Sequence, residues 1–203
     1  MSFVLLILFL AIVLVRDNAD PISVFDLLYA GFLATLPVTV LGQFIFNKDG
    51  IFFDAILARP INISDYVRAK LGFLVLYTLM NYLVILPLFI FISPLFVFLI
   101  VASMLYSLGI SIGLITYWSS FDTDKIDYQQ GAFFNPEGVS FWKQVVTLPP
   151  FVLLILFPAL RSFGIALMFL SGIAGLLLYP KWIELISNNL MKRRYIMLEG
   201  FRD

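Results

Sequence analysis

Long apolar runs alternate with short polar segments along the chain. Six of these runs predict helices that cross a membrane, namely Phe3–Val15, Leu27–Phe46, Leu71–Ile92, Leu95–Trp118, Val145–Leu160 and Phe163–Tyr179. A bilayer span requires about 20 mostly apolar residues. The pattern therefore predicts an all-α integral membrane fold with about six transmembrane helices, in a single transmembrane domain over residues 1–203.

The first predicted span, Phe3–Val15, is short for a bilayer crossing. Thirteen residues of helix cover about 20 Å, against a hydrocarbon core of about 30 Å. A signal peptide would explain a short apolar run, but residues 1–2 carry no basic charge and no small-residue cleavage pattern follows. We therefore expect the chain to be the C-terminal part of a longer protein.

Composition excludes an ordinary soluble domain. The chain is 62% hydrophobic and 13% charged, with a mean hydropathy of +1.01, whereas soluble domains are about 45–50% apolar and about 25% charged. The sequence contains neither histidine nor cysteine, which removes the commonest general base and metal ligand. It also lacks a phosphate-binding glycine loop. We expect no catalytic residue, cofactor or metal in this chain, and no enzyme activity of its own.

Basic residues concentrate in three segments that separate the predicted spans. Eleven of the 13 Lys and Arg residues lie in 47–70, 119–144 and 180–203. With six alternating spans, these segments fall on one side, and an excess of Lys and Arg marks the cytoplasmic side. The predicted location is a bacterial inner membrane, with both termini in the cytoplasm.

The segment "FFDAILARPINISDYVRAK" (residues 52–70) concentrates charge in an apolar chain. Apolar residues at Phe52–Phe53 and Ile56–Leu57 predict a short amphipathic helix, which Pro60 ends by forcing Arg59 out of helical geometry. A second short helix is predicted to start after a cap at Asn62 or Ser64. Two readings remain open, an interfacial loop with snorkelling bases and a docking surface for a cytoplasmic partner.

This segment resembles the loop after the second span of ABC-2-type exporter permeases. The matching positions are Ile56, Leu57, Pro60, Ile61, Asp65, Tyr66 and Lys70. The chain is more closely similar to a Bacteroidetes ABC permease-like family of unknown function, over nearly its whole length. The closer likeness lies in residues 52–70, "KIDYQQGAFFNPEGVSFWKQVVTLP" (125–149) and "NNLMKRRYIMLEGFRD" (188–203).

The resemblance implies the transmembrane permease subunit of an ATP-binding cassette exporter, working as a homo- or heterodimer with a separate cytoplasmic ATPase. It implies a short cytoplasmic coupling helix between the second and third spans. The residues carried over as the ATPase interface are Asp54, Arg59, Pro60, Asp65, Tyr66, Arg68 and Lys70. The resemblance assigns no residue that binds substrate.

Few polar residues interrupt the predicted spans. Gln43 lies near the end of the second span, and the candidates for helix packing or a translocation path are Asn81, Ser103, Ser107, Gly109, Ser111 and Gly113. Small residues at this spacing let helix backbones approach closely, so a helix-packing seam is one interpretation. A translocation path is the other, because a polar group in lipid requires a partner.

Two further functions remain open. A secondary transporter usually carries ionisable groups near the midplane and internal repeats, and the sequence shows neither. A non-transporting scaffold or accessory subunit would use the small residues only for assembly. The basic C-terminal segment suits contact with membrane lipid or with a partner protein, and no nucleic acid is expected to bind.

Overall fold

The computed structural model of the protein describes residues 38–90, 94–123 and 161–202. These residues are mostly helical, and no strand occurs in the three ranges. Residues 38–43 are helical and lead into a 3₁₀ helix. The elements that follow are the 3₁₀ helix Asn47–Phe52, α1 (Phe53–Ala58), α2 (Ile63–Ile90), α3 (Pro94–Tyr106), the π-helix Ser107–Ser111, α4 (Ile112–Ser119), α5 (Arg161–Leu177) and α6 (Tyr179–Arg202).

Among residues 38–90, 94–123 and 161–202, two helical stretches are long and apolar enough to cross a membrane, Ile63–Val84 and Val97–Ser119. The count becomes three if the bent pair Phe163–Leu177 and Tyr179–Phe201 forms one broken span. The first stretch overlaps the predicted third span, Leu71–Ile92, over residues 71–84, and it begins at Ile63 instead of Leu71 and ends at Val84 instead of Ile92. The second matches the predicted fourth span, which runs through α3, the π-helix and α4 without interruption. The predicted first and fifth spans, and most of the second, lie outside the described residues.

The predicted sixth span ends in a bend. α5 and α6 meet at Leu178 with an angle of 65° between them. Pro180 has no N–H to donate to the preceding turn, so it cannot continue α5, but it is tolerated in the first turn of α6. The Lys181 and Trp182 amides donate instead to the Leu178 carbonyl, at 2.9 and 3.1 Å. The bend therefore has a local covalent cause.

Backbones touch directly where α5 crosses α3 and the π-helix. A Cβ on Gly172 would lie 2.5 Å from the Leu105 carbonyl carbon, and a Cβ on Gly175 would lie 2.5 Å from that of Gly109. Contacts this short leave no room for any side chain at these glycines. The crossing thus follows the small-residue rule for helices in lipid.

Much of the surface of α2 and α5 is apolar. Large exposed side chains on α2 are Phe73, Leu76, Leu79, Met80, Leu83 and Val84, and those on α5 are Phe163, Leu167, Phe169, Leu170, Ile173 and Leu177. Apolar faces of this extent are rare on soluble monomers. A lipid environment covers them without penalty, in agreement with the spans found by length and composition.

Candidate functional site

The charged segment after residue 46 forms two helical pieces and a sharp break. The 3₁₀ helix Asn47–Phe52 passes directly into α1, which ends at Ala58. Arg59 is extended, with ψ at 151°, as expected for a residue that precedes proline. The predicted break at Arg59-Pro60 is confirmed. The predicted apolar stripe is only partly correct, because Phe52 is 63% exposed whereas Phe53 is 4% exposed.

Asn62 begins the helix that follows the break. Its side-chain Oδ1 accepts a hydrogen bond from the Ser64 amide at 3.1 Å, and its carbonyl accepts from the Asp65 and Tyr66 amides. Asn62 is therefore the cap, and Ser64 is not. The predicted second short helix is wrong as a separate element, since these residues are the first turns of α2.

Asp49 joins the 3₁₀ helix to α2. Its carboxylate lies 2.6 Å from the Lys70 ammonium and accepts a hydrogen bond from the Tyr66 hydroxyl at 2.7 Å. The Lys70 ammonium also lies 5.5 Å from the centre of the Tyr66 ring, within cation–π range. Two residues predicted to face a partner thus turn toward the protein's own chain.

Asp49 is not among the residues predicted from the sequence to form the interface. The residue lies 17 positions before Tyr66, so no helical spacing links the two, and a break intervenes at Arg59-Pro60. An acid among short polar residues in a loop carries no signal of its partner. Only the folding of the 3₁₀ helix against α2 brings the three side chains together.

The other predicted interface residues remain on the surface. Asp54, Arg59, Pro60, Asp65 and Arg68 are all exposed. Arg68 and Asp65 form a single ion pair of 3.7 Å, with both side chains more than 60% exposed. A pair so open to solvent contributes little stability. These charges are accessible for contact with another molecule.

Lys48 precedes Asp49 in the 3₁₀ helix and is half-buried. Burial lowers its pKa below the ordinary value of 10.5, and repulsion from the Lys70 ammonium lowers it further. Both effects disfavour the charged form of the amine. The folded protein therefore disfavours the protonated form of Lys48, and its pKa is lowered.

α6 contacts both α1 and the residues that follow α4. The Phe53 ring of α1 meets the Phe201 ring edge-on at 5.4 Å, and a Cβ on Gly200 would lie 2.6 Å from the Thr123 Cβ. The Asn189 amide donates to the Ser120 hydroxyl at 2.6 Å. The described parts of all three basic segments consequently meet at one end of the bundle.

The whole chain was compared with known proteins. A family model described as a family of unknown function (DUF5687) matches residues 1–203. The chain belongs to the DUF5687 family. No curated protein and no solved structure matches it.

The small residues of the predicted seam have different neighbours in this DUF5687 chain. Gly109 lies against α5, whereas a Cβ on Gly113 would lie 2.5 Å from the Trp182 ring of α6. The Trp182 indole N–H donates to the Gly109 carbonyl at 3.2 Å. In a π-helix, each carbonyl accepts from the amide five residues later instead of four. The Gly109 carbonyl in this segment also accepts a hydrogen bond from the Trp182 side chain.

The predicted polar residues of the spans are mostly buried. The hydroxyls of Ser107 and Tyr82 share a hydrogen bond of 3.2 Å between α2 and the π-helix. Ser103 and Ser111 are also buried, and their hydroxyls have no hydrogen-bond partner in the described part of the chain. Asn81 is half-buried and has a polar or electrostatic interaction within the protein. In the part of the chain that the structure describes, these positions lie within the helix packing.

Proposed function

We propose that this chain is the transmembrane subunit of an ATP-driven exporter and that a separate cytoplasmic ATPase binds the surface around Arg59. One observation carries the proposal. An exposed, charged turn, Arg59-Pro60, is connected directly to α2, the longest helix in the described residues. α1 would be the coupling helix, and the finer topology would be six spans in a bacterial inner membrane with this end in the cytoplasm.

The contacts on both sides of the turn support transmission of force. α1 is held to α6 by Phe53 and Phe201, and the start of α2 is held to the 3₁₀ helix by Asp49 and Lys70. A partner that displaces α1 would pass the displacement to α2 through the 3₁₀ helix and the contact between Asp49 and Lys70. Packed elements with defined contacts are what carries such displacement between sites.

The proposal divides the predicted interface residues into two roles. Asp54, Arg59, Pro60, Asp65 and Arg68 are exposed and would contact the ATPase. Tyr66 and Lys70 bind Asp49 and would position the surface without contacting the partner. Complementary charge on an exposed patch chiefly sets specificity and association rate.

The test is co-purification from native membranes in mild detergent, followed by mass spectrometry. An ATPase with a phosphate-binding loop should co-purify with the native chain. It should be lost, by about tenfold or more, from Arg59→Glu, because reversing one charge in an interface costs more than about 1.4 kcal/mol. Arg59→Lys keeps the charge and should retain the ATPase.

Membrane levels of each variant are measured in the same samples, so loss of the partner is separated from loss of the chain. If no ATPase accompanies the native chain, the exporter proposal is wrong. If an ATPase accompanies all three proteins equally, it binds elsewhere, and the role given to the Arg59 turn is wrong.

A further inference from the structure

A cavity of about 440 Å³ lies between α6 and the last turns of α4. Its lining residues are Tyr117, Lys181, Glu184, Leu185, Asn188, Asn189 and Lys192. Small-molecule sites typically occupy about 300–1,000 Å³, so the cavity is large enough for a compact polar group. None of the roles assigned above uses it.

The polar lining of the cavity follows one face of α6. Glu184, Asn188 and Lys192 are spaced at i, i+4 and i+8, and four residues of helix advance about 6 Å. The face thus presents an acid, an amide and a base in order, about one turn apart. The Asn189 side-chain amide donates a hydrogen bond to the Ser120 hydroxyl, which fixes the position of Asn189 beside these three residues.

None of the charged side chains of this lining forms an ion pair with another residue of the described ranges. Lys181, Glu184 and Lys192 are instead exposed at the cavity. Two lysines and one glutamate give the lining both signs of charge, with a net formal charge of +1. A ligand that also carries both signs would match this arrangement better than a simple anion.

The cavity lies beside the end of a candidate membrane span. Tyr117 lies two residues before Ser119, where the candidate span Val97–Ser119 ends. Tyrosine at the end of a span is typical of the headgroup level. Leu185 is 43% exposed beside the polar groups and offers an apolar contact next to them.

We infer that the cavity binds the headgroup of a phospholipid that carries a phosphate and a primary amine, such as phosphatidylethanolamine. The phosphate would accept a hydrogen bond from the Asn188 amide, one turn from Glu184, with the long Lys192 side chain reaching it from the next turn, and the lipid ammonium would donate to the Glu184 carboxylate. The two-carbon linker of ethanolamine sets the charges about as far apart as one turn of α6. This inference does not depend on the exporter proposal.

The test uses the full chain reconstituted in vesicles that contain equal amounts of phosphatidylethanolamine, phosphatidylglycerol and phosphatidylcholine. Lipids retained after extraction into mild detergent are counted by native mass spectrometry. Phosphatidylethanolamine should be retained on the order of fivefold over each of the others, as one charge-assisted hydrogen bond predicts. Phosphatidylglycerol lacks the cation, and the quaternary amine of phosphatidylcholine has no N–H to donate.

Two glutamates of α6 provide a matched pair of variants. Glu184→Gln should remove the preference for phosphatidylethanolamine over phosphatidylglycerol, whereas Glu199→Gln, which alters an exposed glutamate outside the cavity, should preserve it. Lys192→Gln should reduce retention of both lipids. Equal retention of the three lipids by the native chain, or an unchanged preference in Glu184→Gln, would overturn the inference.

Free phosphoethanolamine separates a lipid ligand from a soluble one. Added at millimolar concentration, it should leave the retained lipid in place, because the lipid also contacts Leu185 and the surrounding apolar surface. Displacement of the lipid by the free headgroup would assign the cavity to a soluble phosphoamine and would overturn the lipid assignment.

Discussion

The Lys70 ammonium lies 2.6 Å from the Asp49 carboxylate, across a break in the chain that separates the two residues by 21 positions. Both side chains are only 22–23% exposed. This pair, strengthened by the Tyr66 hydroxyl, fixes the 3₁₀ helix to the first turns of α2. Together with the contact between the Phe53 and Phe201 rings, it gives the charged segment a defined shape.

Replacing Asp49 by Ala should therefore destabilise the protein by about 2 kcal/mol. The value lies between the small contribution of an exposed ion pair and the larger loss from breaking a buried one. The measurement is the free energy of unfolding in detergent. Asp65→Ala is the matched control, because its pair with Arg68 is exposed, and it should change stability by less than about 0.5 kcal/mol. Equal effects of the two variants would contradict the role given to Asp49.

Gly109→Ala should lower stability by about 3 kcal/mol or more, since the new Cβ would occupy the position of backbone atoms of α5 and the helices would have to separate. Gly72→Ala is the control. A Cβ there meets nothing within 4 Å, so that variant should gain up to about 1 kcal/mol from helix propensity. Thermal unfolding midpoints of both variants check the prediction, and a Gly109→Ala protein as stable as the native one would disprove the close crossing.

Trp182→Phe should cost about 2 kcal/mol or more, because it replaces the indole by a smaller ring and removes the N–H that donates to the Gly109 carbonyl. Trp118→Phe, at a tryptophan that is 39% exposed, should have a smaller effect. Unfolding followed by the helical circular dichroism signal compares the two. A larger loss from Trp118→Phe would show that the indole hydrogen bond contributes little.

Stability should rise with pH in the range below 10.5 because of Lys48. Its pKa is lower in the folded protein than in the unfolded chain, so the unfolded state binds more protons as the pH passes from the folded pKa up to 10.5. Above 10.5 both states are largely neutral at this residue and the penalty disappears. The native protein should accordingly gain stability relative to Lys48→Met over that range, as measured by paired unfolding midpoints. A constant difference at all pH values would contradict the lowered pKa.

Local chemistry explains which features could be predicted from the sequence. Pro60 and Asn62 act through their own backbone and nearest neighbours, so the break and the helix start were both predictable. The Asp49 contacts with Tyr66 and Lys70, and the lining of the α6 cavity, depend on how separate helices pack. The 65° bend was missed although Pro180 marked it, because the apolar run alone set the predicted end of the sixth span.

The π-helix Ser107–Ser111 changes the direction in which the residues of α4 face relative to those of α3, within one continuous helical stretch. In a regular α-helix, residues four apart such as Gly109 and Gly113 lie about 40° apart around the axis and face the same neighbour. Here the first faces α5 and the second faces Trp182 of α6. Deleting one residue from this segment would restore α-helical register and rotate α4 by about 100° relative to α3. One added residue thus allows one continuous helical stretch to pack against both α5 and α6, which are bent relative to each other at Leu178.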